Sequence, residues 1–256
     1  MSGPSPRTVA YGPHPDQVGD LYQNDRPGPT LLCLLHGGFW RMPYDRHELA
    51  PAALDLCRRG HSVWNLEYRR VGAPGVAWPT PGEDVLAAID HVRTLARQGD
   101  APRWTSIVLI GHSAGGHLAL WGAAESARRS GAAGGVTVVA AIGLAPITDL
   151  VATYDAGLGS GSVHGLMGGS PTDRQELYRS ASPRARLPID VPMLLIHGSD
   201  DDAVPVEQSR AFVHAARNAG DQAELLEVAG GAHMDHIDPE SRSHAALCDW
   251  LLRSAI

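Results

Sequence analysis

Cysteine is scarce, and its placement excludes two classes of protein. Cys33, Cys57 and Cys248 are the only three in 256 residues. Odd in number and widely spaced, they form neither a disulfide framework nor a metal-ligand pattern. Cys33 sits inside an apolar run, which points to a buried thiol. Basic runs are missing too: a local pair such as Arg128-Arg129 is too short to track a phosphate backbone, and the formal charge is −7. With a pI near 6.0, neither nucleic acid nor an anionic membrane is expected as a partner. Residues 1–15 are rich in Pro and Gly and contain no apolar core of signal-peptide length. No stretch reaches the length that spans a bilayer. These absences lead to the expectation of a soluble protein working in a reducing cytoplasm. Aromatic residues make up only 5% of the chain, which says little about what it binds.

What is present is apolar content, 43% of 256 residues. That suits one α/β domain over residues 1–256 and is too little chain for two. Apolar runs alternate with segments of helical period, the pattern of a mostly parallel sheet covered by helices on both faces. The first firm strand is Thr30–Leu35, ending at His36-Gly37-Gly38. A helix over residues 45–59 and a strand over 62–68 follow. After Pro81, Val85, Leu86, Ile89, Val92 and Leu95 recur at spacings of three and four, and Gly99 and Pro102 end that helix. Further strands are expected at 106–110, 136–144, 191–197 and 223–228. Helices are expected from Ser113 to about Arg129, over 206–219 and over 239–254. Residues 17–22 read as an antiparallel edge strand. Between 146 and 188 the rhythm breaks, with Gly157, Gly159, Gly161, Gly165, Gly168 and Gly169 crowded among few apolar residues. A long excursion inside a domain is usually functional, and this one falls where a small lid over the strand ends would sit.

The chemistry concentrates in four places. Gly111-His112-Ser113-Ala114-Gly115 follows a strand and opens a helix, the context of a nucleophile held on a sharp turn. Small neighbours are needed where the chain presses on itself, and the helix start aims N–H groups at a reacting carbonyl. His36-Gly37-Gly38-Phe39-Trp40 leaves the first strand, and the N–H of Gly38 or Phe39 can join that of Ala114 in holding an oxyanion. His36 itself reads as a hydrogen-bonded structural residue. Within His197-Gly198-Ser199-Asp200-Asp201-Asp202, Asp201 keeps the spacing of an H-G-x-x-D-x-x-V-P pattern, while Asp200 and Asp202 read as turn or capping residues. Asp149 is the outside rival for the acid. Gly230-Gly231-Ala232-His233 offers the base, with His236 facing away or shaping the pocket. The pair His233/His236 lacks further ligands at a recognised spacing, so no metal is expected. The order Ser113, Asp201, His233 is that of a hydrolytic triad on an α/β sheet. Trp40, Tyr44, His112, His164 and Met167 are candidate substrate contacts.

On these residues the chain resembles the α/β-hydrolase superfamily from about residue 17 onward. His36-Gly37-Gly38-Phe39-Trp40, Leu66-Glu67-Tyr68-Arg69 and Gly111-His112-Ser113-Ala114-Gly115-Gly116-His117-Leu118 are similar to the branch that holds kynurenine formamidases (arylformamidases) and small carboxylesterases. Ala232-His233-Met234-Asp235 is similar to that branch's Asp-His-Phe-Asp segment, with Met234 in place of the Phe. The resemblance implies hydrolysis of a small ester or formamide without a cofactor. Cleavage of small or aromatic carboxylic esters through an acyl-enzyme on Ser113 is the leading expectation, and an arylformamidase is its rival. A ligand-binding module that keeps the fold without catalysis is the alternative of another class. Oligomeric state is not encoded in any motif.

Overall fold

A computed structural model describes residues 5–23, 27–98, 104–129 and 135–254. Among these residues eight strands form one sheet: β1 (Arg7–Ala10), β2 (Val18–Tyr22), β3 (Thr30–Leu35), β4 (Ser62–Leu66), β5 (Ser106–His112), β6 (Thr137–Leu144), β7 (Met193–Gly198) and β8 (Ala223–Val228). Their spatial order is β1-β2-β4-β3-β5-β6-β7-β8. β1 pairs antiparallel with β2, and β2 with β4; every later pairing is parallel. The helices are α1 (Ala50–Arg58), α2 (Thr80–Gln98), α3 (Ala114–Arg129), α4 (Leu150–Asp155), α5 (Ser162–Met167), α6 (Gln175–Ala181), α7 (Glu207–Asn218) and α8 (Arg242–Arg253).

Two cores result from the alternation of side chains along the strands. Leu31, Cys33 and Leu35 of β3, with Ile107 and Leu109 of β5, face α2, α3 and α7 through Val85, Ile89, Leu118 and Phe212. Leu32 and Leu34, with Val108 and Ile110, face α1 and α8 through Leu56, Leu247 and Leu251. Burial on both faces is why these strands read as unbroken apolar runs. Cys33, Cys57 and Cys248 are free and buried. No helix among the described residues is long and apolar enough to cross a membrane.

One expectation needs correction. Residues 17–22 do not form the sheet edge, because β1 lies outside β2 with Arg7 opposite Leu21. β1 is mostly exposed, so it has no apolar alternation to betray it. The excursion over 146–188, expected as a lid, contains α4, α5, α6 and a 3-10 turn at Pro183–Arg186. Leu150, Val163, Leu166, Met167, Tyr178 and Ala181 anchor it in the core shared with α2 and α3. Its glycines serve as helix ends, with Gly161 and Gly168 flanking α5 at φ 78° and 67°. The proposed stop of α2 at Gly99 and Pro102 lies outside the described residues.

Candidate active site

Ser113 sits between β5 and α3, at the carboxyl end of the parallel strands, where ligands bind in open α/β sheets. Its backbone is left-handed, φ 54°, a conformation that costs a non-glycine residue free energy and persists only when neighbours impose it. Here Ser113 N donates to Leu144 O at 2.8 Å, while Ser113 O accepts from His117 N at 3.1 Å and Ile147 N at 3.3 Å. The flanking glycines are sterically required. A Cβ on Gly111 would overlap the carbonyl of Gly115, and one on Gly115 would overlap the carbonyl of Leu35.

The segment after β3 turns sharply, with Gly38, Phe39 and Trp40 at φ 91°, 52° and 56°. Gly37 N is already committed to Glu48 Oε2 at 3.2 Å. The N–H groups of Gly38, Phe39 and Ala114 donate to no protein group among the described residues, so they remain available to an incoming oxygen.

Asp201 is the acid that meets a histidine. Its Oδ2 accepts from His233 Nδ1 at 2.8 Å, and its Oδ1 accepts from Ala203 N at 2.9 Å and Val204 N at 2.8 Å. His197 Nε2 stands 3.2 Å from Oδ2 and 2.8 Å from Val204 O. Both neighbours accept, so that nitrogen carries hydrogen. Burial alone would raise the Asp201 carboxyl, but the bonds from His197, His233 and Val204 outweigh it and hold the group far below the usual carboxylate range. With Nδ1–H of His233 given to Asp201, Nε2 is left with its lone pair, as a general base requires. Asp149 does not compete, since it caps α4 by accepting from Val151 N and Ala152 N. Asp200 accepts from its neighbour Ser199 on the exposed turn.

The loops carrying Asp201 and His233 are fastened together. Asp200 N donates to Gly231 O at 3.1 Å, Gly230 N to Ser199 Oγ at 2.9 Å, and Gly198 N to His236 Nε2 at 3.2 Å. His236 therefore faces inward. His112 ties this pair to the nucleophile turn: its Nε2 bonds His233 O at 3.1 Å, and the two rings lie 4.6 Å apart. Ser113 Oγ and His233 share no hydrogen bond in this structure. Such bonds are often loose without substrate and tighten when it binds.

Three of the expected substrate contacts are buried in this structure. Trp40 is fully buried, with its indole N–H donating to His117 Nδ1 at 3.1 Å. Met167 is packed in the core, and His112 is a buried support for His233. Tyr44 is exposed and packs directly over Gly38, and His164 is exposed beside Tyr154. His197 reads only as the first residue of the H-G-x-x-D pattern, and Glu67 and Tyr68 only as part of Leu66-Glu67-Tyr68-Arg69; spacing does not give their partners, Asp201 and Val204 for His197 and His36 for the other two. Among the described residues, potential metal ligands converge only at Asp55, His244 and Cys248, within 4.8 Å of one another. There Arg59 and His244 already occupy Asp55 Oδ2, at 2.6 and 2.8 Å.

Buried histidines make stability sensitive to acid. Burial pushes His112 down to about 3, and His117 and His236 down to about 4. An unfolded chain binds these protons near pH 6.5 while the folded chain refuses them, so stability is complete above that pH and falls as pH drops toward 4. Each histidine contributes about 1.4 kcal/mol per pH unit inside that window. Calorimetry from pH 7.5 to 4.5 should show Tm steady at first, then dropping steeply below pH 6.5; a flat Tm through pH 4.5 would contradict these burials.

The sheet order, the strained serine turn and the loops after β7 and β8 define the α/β-hydrolase fold in its carboxylesterase-like form. The chain belongs to the BD-FAE family, whose profile matches residues 20–215. It is 31% identical to Esterase LipC of Mycobacterium tuberculosis (strain ATCC 25618 / H37Rv) over 242 residues, covering 89% of this chain and 59% of that protein. It is 27% identical to the isoprenylcysteine alpha-carbonyl methylesterase ICME of Arabidopsis thaliana over 248 residues, 90% of this chain and 56% of that one. The chain thus spans less than two thirds of the length of these relatives. Among solved structures it superposes on a truncated carbohydrate esterase from gut microbiota with a TM-score of 0.82 at 22% identity, covering 98% of this chain and 99% of that one. Propionate-bound Est2, an esterase of Thermogutta terrifontis, gives a TM-score of 0.75 at 21% identity, covering 98% and 94%.

Proposed function

We propose that this chain is a serine esterase acting on small or aromatic carboxylic esters through an acyl-enzyme on Ser113. The observation that carries this reading is the His233–Asp201 pair beside a strained serine turn, with uncommitted N–H groups at Gly38, Phe39 and Ala114. His233 Nε2 takes the proton of Ser113 Oγ as the oxygen attacks the ester carbonyl. The three N–H groups hold the resulting oxyanion, each such donor being worth about 3 kcal/mol of barrier. His233 then protonates the departing alcohol, and water repeats the attack on the acyl group. Every step uses side chains and backbone of this chain.

Relatives named as esterases support the ester over other acyl substrates. Residues 146–188 then act as a fixed cap over one side of a single domain, with Tyr44 at the rim. Three free thiols fit work in a reducing cytoplasm.

The test is kcat/KM on a short-chain aryl ester and on N-formylkynurenine. The ester is expected to win by at least two orders of magnitude. A formamide preferred by that margin would replace this reading with an arylformamidase on the same residues.

A further inference from the structure

The proposed reaction leaves one buried cluster of charge unused, and it lies directly behind the oxyanion loop. His36 Nδ1 is 2.9 Å from Gly37 O, and its Nε2 is 2.8 Å from Glu67 Oε1. The Gly37 carbonyl can only accept, so the Nδ1 facing it donates. Burial would raise the Glu67 carboxyl, but the bond and charge of His36, with Arg46 N–H and Arg70, hold it below its ordinary range. It remains a carboxylate beside the His36 ring. Glu67 also accepts from the N–H of Arg46 and of Tyr68, each at 3.1 Å, so it cannot drift. The Tyr68 hydroxyl donates to His36 O at 3.0 Å and to Gly37 O at 3.3 Å. Its ring stacks on the His36 imidazole at 4.3 Å and 8°.

The carbonyl of Gly37 thus faces two side-chain donors, the His36 Nδ1–H and a share of the Tyr68 O–H. That carbonyl and the N–H of Gly38 belong to the same planar trans peptide and point in opposite directions. Clamping the one toward the buried cluster therefore aims the other away from it, toward the half-exposed face of the loop. Donors on the carbonyl also draw electron density from the peptide, which makes its N–H a stronger donor. We propose that His36, braced by Glu67 and Tyr68, orients and polarises the Gly37–Gly38 peptide so that Gly38 N–H is the stronger of the loop's oxyanion donors. They are positioning residues, and their part in turnover rests on the esterase reading above.

Two readouts test this, on Tyr68→Phe and His36→Leu proteins. With ¹⁵N-glycine labelling, the Gly38 amide proton should move upfield in both variants as its peptide loses donors. In ester hydrolysis kcat should fall roughly 5- to 20-fold for Tyr68→Phe and about 100-fold for His36→Leu, below the ceiling set by losing a donor outright. KM should stay within about threefold, and affinity for a trifluoromethyl ketone, which mimics the oxyanion, should fall with kcat/KM. If His36→Leu does not fold, Tyr68→Phe carries the test. A folded Tyr68→Phe protein with an unmoved Gly38 resonance and wild-type kcat overturns the proposal. Wild-type turnover that survives Ser113→Ala would instead remove the esterase reading. The Gly38 resonance would then decide the peptide coupling alone, a shift supporting it and no shift overturning it.

Discussion

Ser113→Ala should lower kcat on a short aryl ester by roughly five to six orders of magnitude, the loss typical when a triad nucleophile is removed. The protein should remain folded, with Tm within about 2 °C of wild type. Ser113 Oγ bonds no protein group among the described residues, so its removal leaves no buried partner unsatisfied. Alanine inherits the same left-handed backbone, φ 54°, and neither relieves nor adds strain there. Large loss of rate with little loss of stability separates a reacting atom from a structural one. The residual rate should exceed that of water, because the N–H groups of Gly38, Phe39 and Ala114 are untouched.

Asp201→Asn should cost about four orders of magnitude in kcat, through the tautomer of His233. The asparagine oxygen can still accept from Ala203 N and Val204 N, which lie at 2.9 and 2.8 Å. Its amide NH₂ must then face His233 Nδ1. That imidazole responds by accepting at Nδ1 and carrying hydrogen on Nε2, where it can no longer take a proton from Ser113. The same NH₂ would also oppose the Nε2–H of His197, 3.2 Å from this position. Unlike the serine variant, this one should lose stability, by about 2 kcal/mol for charge-assisted bonds replaced by a donor–donor contact. Steady-state kinetics with a thermal melt checks both halves. An Asp201→Asn protein with wild-type kcat would move the acid elsewhere, with Asp149 the first position to examine.

Much of this site was legible because its chemistry imposes local geometry. Gly111 and Gly115 are glycines since a Cβ at either would strike backbone. Thr30–Leu35 and Ala223–Val228 could be read to the residue: one is a doubly buried run, the other is bounded by a helix end and a glycine turn. Asp201 and His233 followed from spacing, and they meet at 2.8 Å. What escaped was whatever depends on distant packing. The strand Arg7–Ala10 is exposed and gains its pairing only from Val18–Tyr22. The three helices between residues 146 and 188 have six or seven residues each, too short to display a period. Trp40 and Met167 follow motif or lid residues in the chain, yet their side chains turn into the core. Nor could spacing tell that Glu67, 31 residues from His36, would pair with it at 2.8 Å.

The central claim is that Ser113 is a nucleophile activated by His233. A fluorophosphonate probe followed by intact mass and peptide mapping addresses it without any choice of substrate. One adduct is expected, on the peptide containing Ser113, formed rapidly in the wild type and at least a thousandfold more slowly in His233→Ala. No adduct on folded protein, or an adduct on another residue that persists in Ser113→Ala, would contradict it.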